Sequence, residues 1–330
     1  ELPQPKGAVT ALALDALLEN LYVGTADGQV VHVALSETES PEMRAAYTVA
    51  ASSTTVTTLG FLSGDRSLVV MSEDGAVSTW GLVRRADAPS GWTLIQIHTL
   101  RAHNAPVTAF APSQRVKGFV TGDMKGNLFL HHATSSQTLL RLANSEFPIR
   151  AVAFAPKGDG LIALDGAGQL SLYQVQNAYP EVTLETLFGK VWYEGYDQPA
   201  HVWQSSSGSD DVEPKLGLLP LAFGTLKGTM YALFLAVPIA ILAAMCTSQF
   251  MHQDLRAKIK PIIEVMAALP TVVLGFLAGL WLAPLLERML PAVAGMALVL
   301  PLLVVVASFA WYLCPLSVKR HLPQGQEALL

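Results

Sequence analysis

The sequence predicts a multidomain protein, in which a soluble all-β domain built from repeats precedes an α-helical transmembrane domain. Charge divides the chain, because residues 1–216 hold 14 Lys and Arg with 22 Asp and Glu, whereas residues 217–330 hold only 7 and 4. The second part thus falls far below the roughly 25% of charged residues in a soluble domain. Repeated turn sequences in the first part and long apolar runs in the second support the same division.

Four segments of residues 1–180 share one pattern, in which two strands flank a turn that contains glycine. The turns and the strands that follow them are DGQVVHV, DGAVSTW, KGNLFLH and AGQLSLY. Their glycines are Gly28, Gly75, Gly126 and Gly168, separated by 47, 51 and 42 residues. Alternating apolar and polar residues around such turns indicate β-hairpins, and a period of about 40 to 50 residues indicates propeller blades. We expect about four blades, and further blades upstream of residue 1.

The repeat resembles the WD type. Triplets of sequence FAP begin at Phe110 and Phe154 and match the phenylalanine-small-proline strand end of that family, and Trp80 stands at its tryptophan position in one repeat. The resemblance implies a buried contact between His103 and Asp123 in one blade. A propeller of this kind provides a binding face for a protein or a small ligand, or serves as a structural spacer, and the fold alone does not decide between them.

The repeats show no residue set that predicts a catalytic, cofactor or metal site, so we do not expect an enzyme. His131 and His132 are adjacent, and adjacent residues on a strand point to opposite faces, which argues against a shared metal ion. The net charge of −5 and the lack of Lys/Arg clusters argue against nucleic acid as a partner.

Residues 181–216 change character and mark the predicted domain boundary. Four aromatic residues lie close together there, namely Trp192, Tyr193, Tyr196 and Trp203. Beside an apolar span, such residues often lie at the headgroup level of a membrane. Packing beneath the β domain explains them equally well at this stage.

Three apolar runs in residues 217–330 predict membrane spans at about 218–246, 261–283 and 291–314. A bilayer core requires roughly 20 residues of helix, and the only charge inside the last two runs is Glu264. Basic residues follow the first run and the third run, at Arg256, Lys258, Lys260, Lys319 and Arg320. Basic loops stay in the cytoplasm, so residues 1–216 are expected on the outer side, in the periplasm of a Gram-negative cell.

Five residues near these runs are candidates for a substrate pathway or a gate, namely Thr225, Lys227, Glu264, Pro270 and Thr271. Lys227 extends to the headgroups or contacts an anion, and Glu264 complements a helix N-terminus or takes part in a gate. Pro270 is expected to kink its helix, as prolines do where transporter helices line a pathway or move.

The apolar part resembles the PstC-type permease subunit of bacterial phosphate ABC importers. The matching residues are Gly224-Thr225-Leu226, Ala236-Val237-Pro238, Ile263-Glu264 and the run Leu269 to Gly275, within about 70 residues. The preceding residues are similar to a larger variant with a soluble domain inserted after its first span. Two features depart from the family, because no ATPase-coupling loop is recognisable in residues 1–330 and the third run matches no motif.

The resemblance implies an inner-membrane, multi-pass permease that is not itself an enzyme and imports inorganic phosphate. It also implies a second permease subunit, cytoplasmic ATPase subunits and a periplasmic phosphate-binding protein as partners. Phosphate requires hydrogen-bond donors, so Thr225, Lys227 and Thr271 are the expected contacts and Glu264 fixes a helix. Two alternatives stay open, namely a permease for another oxyanion and a membrane-anchored propeller that acts as a scaffold or sensor.

Overall fold

The computed structural model describes residues 5, 7–35, 41–50, 54–86, 88, 91–204 and 212–313. The described residues divide into two compact units, with the boundary between Ala232 and Leu233. The first unit contains the β-sheets, the joint and the beginning of the first long helix, and the second unit is helical.

Four antiparallel sheets account for the repeats, and each sheet takes its strands in chain order. The first sheet comprises β1 (Val9–Leu14), β2 (Asn20–Thr25), β3 (Gln29–Ala34) and β4 (Glu42–Thr48). The second comprises β5 (Val56–Phe61), β6 (Ser67–Ser72), β7 (Val77–Arg84) and β8 (Trp92–Leu100). The third comprises β9 (Val107–Pro112), β10 (Gly118–Asp123), β11 (Asn127–His132) and β12 (Gln137–Ala143). The fourth comprises β13 (Ile149–Phe154), β14 (Gly160–Asp165) and β15 (Leu170–Gln174).

The first strands of successive sheets lie side by side, since β1 packs near β5, β5 near β9 and β9 near β13. Apolar clusters fill the space between neighbouring sheets. Val30, Val56 and Leu68 belong to the cluster of the first two sheets, and Phe119 and Val77 to the cluster of the next two. Meanders of three or four strands that pack face to face in this order have the arrangement of propeller blades, as the repeat predicted.

The turn glycines of the repeats are confirmed as hairpin positions. Gly126 connects β10 to β11 and has a φ of +79°, and Gly168 has a φ of +82° between β14 and β15. Such φ values favour glycine, because a Cβ in this region clashes with the neighbouring carbonyl oxygen.

The joint is a short folded segment that leads from the sheets to the first long helix. It contains α1 (Leu184–Phe188), which Thr183 and Thr186 cap, and the two-residue strands β16 (Trp203–Gln204) and β17 (Lys215–Leu216). The backbone N–H of Leu218 donates to the carbonyl of Leu187 at 2.8 Å. The entrance to the helical part is therefore fastened to the end of α1.

The helical part contains α2 (Leu219–Met245), α3 (Gln253–Ala268), α4 (Thr271–Leu277) and α5 (Ala283–Leu313). A π-helical turn, Cys246–Phe250, extends α2, and a second, Ala278–Leu282, joins α4 to α5. Among the described residues, two helical stretches are long and apolar enough to cross a membrane, Leu219–Phe250 with a mean hydropathy of 2.2 and Thr271–Ala292 with 1.6. The sequence predicted three such spans, and the remaining apolar helical stretch, Ala294–Phe309, is shorter.

Two predicted connections are helical instead. Residues 284–290 separate the predicted second and third spans and would form a connecting loop, but they lie inside α5. Their sequence, PLLERML, holds strong helix formers after its proline, and Pro291 does not end the helix. The predicted basic loop after the first run was also wrong, because Arg256, Lys258 and Lys260 lie on α3 and the chain turns at Met251 and His252.

The predicted second span, 261–283, is interrupted within its length. Leu269 has φ −68° and ψ 140°, an extended conformation that ends α3, and α4 begins directly after Pro270. The proline ring disfavours helical geometry in the preceding residue, so the kink expected at Pro270 is a complete break.

Candidate functional site

Thr225 and Lys227 lie on the first turns of α2. The Thr225 hydroxyl donates to the carbonyl of Leu221 at 2.8 Å, within its own helix. The Lys227 ammonium lies 5.7 Å from the centre of the Tyr231 ring, one turn further along. A cation over an aromatic face keeps its charge accessible from the other side, so the charge of Lys227 stays exposed.

Glu264 lies on α3 and faces outward. Its carboxylate is 4.0 Å from the Lys260 ammonium, one turn earlier, and both side chains are mostly exposed. An exposed pair at this spacing stabilises a helix by a few tenths of a kcal/mol at most. Glu264 lies about three turns after the start of α3, so the predicted role at a helix N-terminus does not apply to this helix.

Pro270 and Thr271 form the break between α3 and α4. The Pro270 carbonyl accepts the N–H groups of Val273 and Leu274 at 3.0 and 3.2 Å, which starts α4. Thr271 is the first residue of α4, and its side chain is exposed. The break lies in the middle of an apolar run. In an unbroken spanning helix, the backbone N–H and C=O groups of this run would hydrogen-bond to one another.

Thr225 and Lys227 belong to the first unit, and Glu264, Pro270 and Thr271 belong to the second. Within each unit, these residues lie on exposed helix surfaces, and α2 to α4 hold no buried residue among those described. Apolar side chains such as Phe223, Phe234 and Val272 are more than two-thirds exposed. Helices with such surfaces require a lipid or protein environment around them.

The third sheet contains the buried contact that the sequence predicted. His103 Nδ1 is 2.9 Å from Asp123 Oδ2, its Nε2 is 2.7 Å from the Thr121 hydroxyl, and that hydroxyl is 3.0 Å from His131 Nε2. Burial lowers the pKa of His103, and it lowers the pKa of His131 to about 3, helped by the nearby His103. Both imidazoles are therefore neutral, and both ring nitrogens of each are hydrogen-bonded within this part of the fold.

His131 and His132 behave as the alternation of a strand requires. His131 bonds Thr121 and Thr138, whereas His132 Nδ1 is 2.9 Å from the hydroxyl of Ser135. The described residues contain no group of three or more His, Cys, Asp or Glu side chains that could hold a metal ion.

An apolar cavity of about 510 Å³ lies between the third and fourth sheets. Leu128, Leu142, Leu161 and Tyr173 contribute to its walls. Tyr173 occupies the position in the repeat that Trp80 occupies in the second sheet. The cavity has the size and lining of a small-molecule or side-chain site, although it lacks convergent charged groups among its lining residues.

The joint holds a buried polar cluster that sequence patterns did not indicate. The Lys117 ammonium is 2.8 Å from the Glu194 carboxylate, and these side chains are 3% and 8% exposed. The backbone N–H of Glu194 donates to Glu213 Oε1 at 2.6 Å, and the Thr134 hydroxyl donates to the other oxygen. Burial, and then the neighbouring Glu194, raise the pKa of Glu213 to about 7. These residues are distant in the chain, so no local pattern could have revealed the cluster.

The aromatic residues of the joint also pack rather than point away. Tyr193 is 1% exposed, the Trp192 indole donates to the Tyr196 carbonyl at 2.9 Å, and the Lys215 ammonium lies 5.6 Å from the Tyr196 ring centre. The sequence left open a position at the membrane headgroups or packing within the protein. Packing within the protein fits Trp192, Tyr193 and Tyr196. Trp203 is 38% exposed.

Comparison with known proteins identifies a bacterial transporter subunit as a relative in sequence. The chain is 30% identical over 78 residues to the probable ABC transporter permease protein YqgH of Bacillus subtilis. This chain is similar to an ABC transporter permease. The match covers 24% of this chain and 25% of that protein, so the chain spans about a quarter of the length of the relative. No family model matches the chain.

Solved structures similar to the chain include a β-propeller domain and two designed proteins. The β-propeller domain of Myceliophteria thermophila Cps50 (Swd1) is 18% identical, with a TM-score of 0.45 over 52% of each chain. The computationally designed Ika4 protein is 20% identical, with a TM-score of 0.44 over 53% of this chain and 96% of that chain. The designed Ika8 protein is 19% identical, with a TM-score of 0.43 over 62% of this chain and 55% of that chain.

Proposed function

We propose that this chain is part of the permease subunit of an ABC importer, and that its substrate is inorganic phosphate. The observation that carries the proposal is the similarity to a bacterial ABC transporter permease, in a chain with two helices long and apolar enough to cross a membrane. Phosphate as the substrate rests on the residues of α2 to α4 that resemble the phosphate-importer group.

The geometry of α2 supports contact with an anion. Lys227 presents an exposed ammonium held beside Tyr231, two residues after the Thr225 hydroxyl. Phosphate oxygens are bound by charge-assisted donors of this type. The broken helix at Pro270 supports a second contact, because discontinuous helices in transporters expose backbone groups to a substrate. Thr271 lies at the N-terminal end of α4, where the backbone N–H groups also favour an anion.

The arrangement of α2 also supports a direction. One predicted span, α2 with its π-helical turn, separates the β domain from the basic residues of α3. Basic segments stay on the cytoplasmic side, so the β domain and the joint lie in the periplasm. A second permease subunit, ATPase subunits and a periplasmic phosphate-binding protein complete this transporter.

The test is uptake by cells that carry the complete transporter. We expect uptake of radiolabelled phosphate, competed by unlabelled phosphate and not by sulfate or molybdate. The Lys227→Gln variant is expected to lower uptake at least 10-fold, whereas Lys157→Gln, which removes an exposed lysine of the β domain, leaves it unchanged.

Other results would replace the proposal. Uptake of sulfate or molybdate without phosphate uptake assigns the chain to another oxyanion. If Lys227→Gln and Glu264→Gln are silent while deletion of residues 1–180 abolishes the cellular phenotype, the helices serve as an anchor and the propeller is the functional part.

A further inference from the structure

The polar cluster of the joint bridges segments that are distant in the chain. Lys117 immediately precedes β10, Thr134 follows β11, Glu194 lies between α1 and β16, and Glu213 precedes β17. The Lys117 ammonium also donates to the carbonyl of Ser63, at the hairpin of the second sheet. The cluster therefore fastens the joint to the second and third sheets.

Charge is unbalanced inside this cluster. Two carboxyl groups, those of Glu194 and Glu213, share the neighbourhood of one ammonium, that of Lys117. Glu194 Oε1 is buried and accepts no hydrogen bond from the described residues. Ionising Glu213 here carries a free-energy cost, because burial and the charge of Glu194 raise the pKa of Glu213.

We propose that Lys117, Glu194 and Glu213 form a proton-controlled clasp, which holds the joint against the third sheet when Glu213 is protonated and loosens it when Glu213 ionises.

Glu213 accepts two hydrogen bonds, from the N–H of Glu194 to Oε1 and from the Thr134 hydroxyl to its second oxygen. Both favour the ionised carboxylate, but burial and the charge of Glu194 outweigh them and raise the pKa of Glu213. Ionisation would place a second negative charge beside Glu194 in a buried site, with Lys117 as the shared cation. The joint segment from Val191 to Ala200 carries both Glu194 and the backbone bridge that would open with it.

The other titratable groups around Glu213 do not reverse the loosening of the joint that we expect as the pH rises. Those that face Glu213 or line the 220 Å³ cavity beside Thr134 are Lys117, Glu194, Tyr193, His98, Glu185 and Lys190. Burial lowers the pKa of His98 to about 4 and that of His132, which lies next to His98, to about 4. Both imidazoles therefore stay neutral between pH 5 and pH 8.

Linkage gives the sign of the effect. The pKa of Glu213 is about 7 in the docked joint, above the ordinary value of 4.5, so docking takes up a proton between these values. Docking is then strongest below pH 4.5, weakens as the pH rises to about 7, and is constant above that. Between pH 5 and pH 8, the opening equilibrium of the joint should therefore rise, by about 10-fold or more.

The test is hydrogen–deuterium exchange of the purified chain in detergent, read on peptides that cover Val191–Ala200. After correction for the intrinsic pH dependence of exchange, we expect opening of this segment to increase about 10-fold or more from pH 5 to pH 8. Glu213→Gln should stay closed at both pH values, because an amide keeps the acceptor without the charge. Lys117→Met should open the segment already at pH 5.

Glu185→Gln is the matched control, because Glu185 is exposed and lines the same cavity. It should behave as the unaltered chain does. Exchange that is independent of pH in the unaltered chain overturns the proposal, and so does an equal pH dependence in Glu213→Gln. Neither readout requires transport, so this experiment can fail while the proposed function holds, and the reverse.

Discussion

At the scale of single residues, the interior of the third sheet depends on neutral histidines. His131 is fully buried, bonds Thr121 and Thr138, and stacks on Phe119 at 4.9 Å between ring centres. A proton on this imidazole would be buried without a carboxylate in its own hydrogen bonds. The stability of the third sheet should therefore fall in acid because of the His131 imidazole.

The first prediction concerns His131→Gln. The depressed pKa of His131, about 3, means that the unfolded state binds more protons than the folded state below pH 6.5. His131 thus contributes stability above pH 6.5 that is lost as the pH falls toward 3, about 1.5 kcal/mol of it between pH 6.5 and pH 5. The difference in unfolding free energy between the unaltered chain and the variant should shrink by that amount, as measured by urea titration of the β domain.

His252→Gln is the control for this measurement, because the His252 side chain is 81% exposed. It should leave the pH dependence unchanged. If His131→Gln shows the same acid sensitivity as the unaltered chain, the buried imidazole is not its source.

At the scale of elements, the repeated hairpin turns share a backbone shape but differ in what surrounds them. A Cβ at Gly126 would lie 1.9 Å from the Ser145 carbonyl oxygen, whereas at Gly168 it would have no atom within 4 Å. Gly126 is covered by the segment that leads into the fourth sheet. A comparison of substitutions at the two turns thus separates the cost of a positive φ from the cost of a steric clash.

The second prediction compares Gly126→Ala with Gly168→Ala. Both variants place a Cβ at a positive φ, which costs about 1 to 2 kcal/mol. Gly126→Ala must also displace Ser145, so its loss of unfolding free energy should exceed that of Gly168→Ala by at least about 1 kcal/mol. Urea titration of both variants measures the difference. Equal losses would show that backbone strain alone decides both turns.

The third prediction concerns the break between α3 and α4. Pro270→Ala restores a backbone N–H and frees Leu269 to become helical, so α3 and α4 should merge. Hydrogen–deuterium exchange of the amide of Thr271 should then slow at least 10-fold, because this N–H gains the Ala267 carbonyl as a partner.

Pro261→Ala serves as the control, since Pro261 already lies inside the continuous helix α3. It should not change exchange at Thr271. Unchanged exchange in Pro270→Ala would mean that the surrounding helices, rather than the proline, set the break. Under the proposed function, Pro270→Ala should also lower phosphate uptake, because a merged helix hides the backbone groups at Thr271.

At the scale of the whole molecule, the fourth prediction concerns the proposed orientation in the membrane, with the β domain in the periplasm and the start of α3 in the cytoplasm. With Cys246 and Cys314 replaced by serine, a cysteine at Met124 should react with a membrane-impermeant maleimide from the periplasmic side. A cysteine at His252 should react only after the membrane is permeabilised. Both positions are exposed, so accessibility within the chain does not limit labelling. Labelling of both from the same side would contradict a membrane-spanning α2.

The sequence by itself determined the features that arise from local pattern. Alternation around Gly28, Gly75, Gly126 and Gly168 specified the hairpins, since strand period and turn geometry are properties of adjacent residues. The charge-poor region after residue 216 specified apolar helices for the same reason. The resemblance to the WD repeat also located the pair of His103 and Asp123.

Only the tertiary structure decided where the helices break and what the joint contains. Pro270 ended a helix while Pro261 and Pro291 lie inside continuous helices, so the presence of a proline in the sequence did not by itself locate a helix end. Lys117, Glu194 and Glu213 lie together in the fold, although they are up to 96 residues apart in the sequence. Contacts between distant residues are set by how whole sheets pack, and no local periodicity encodes them.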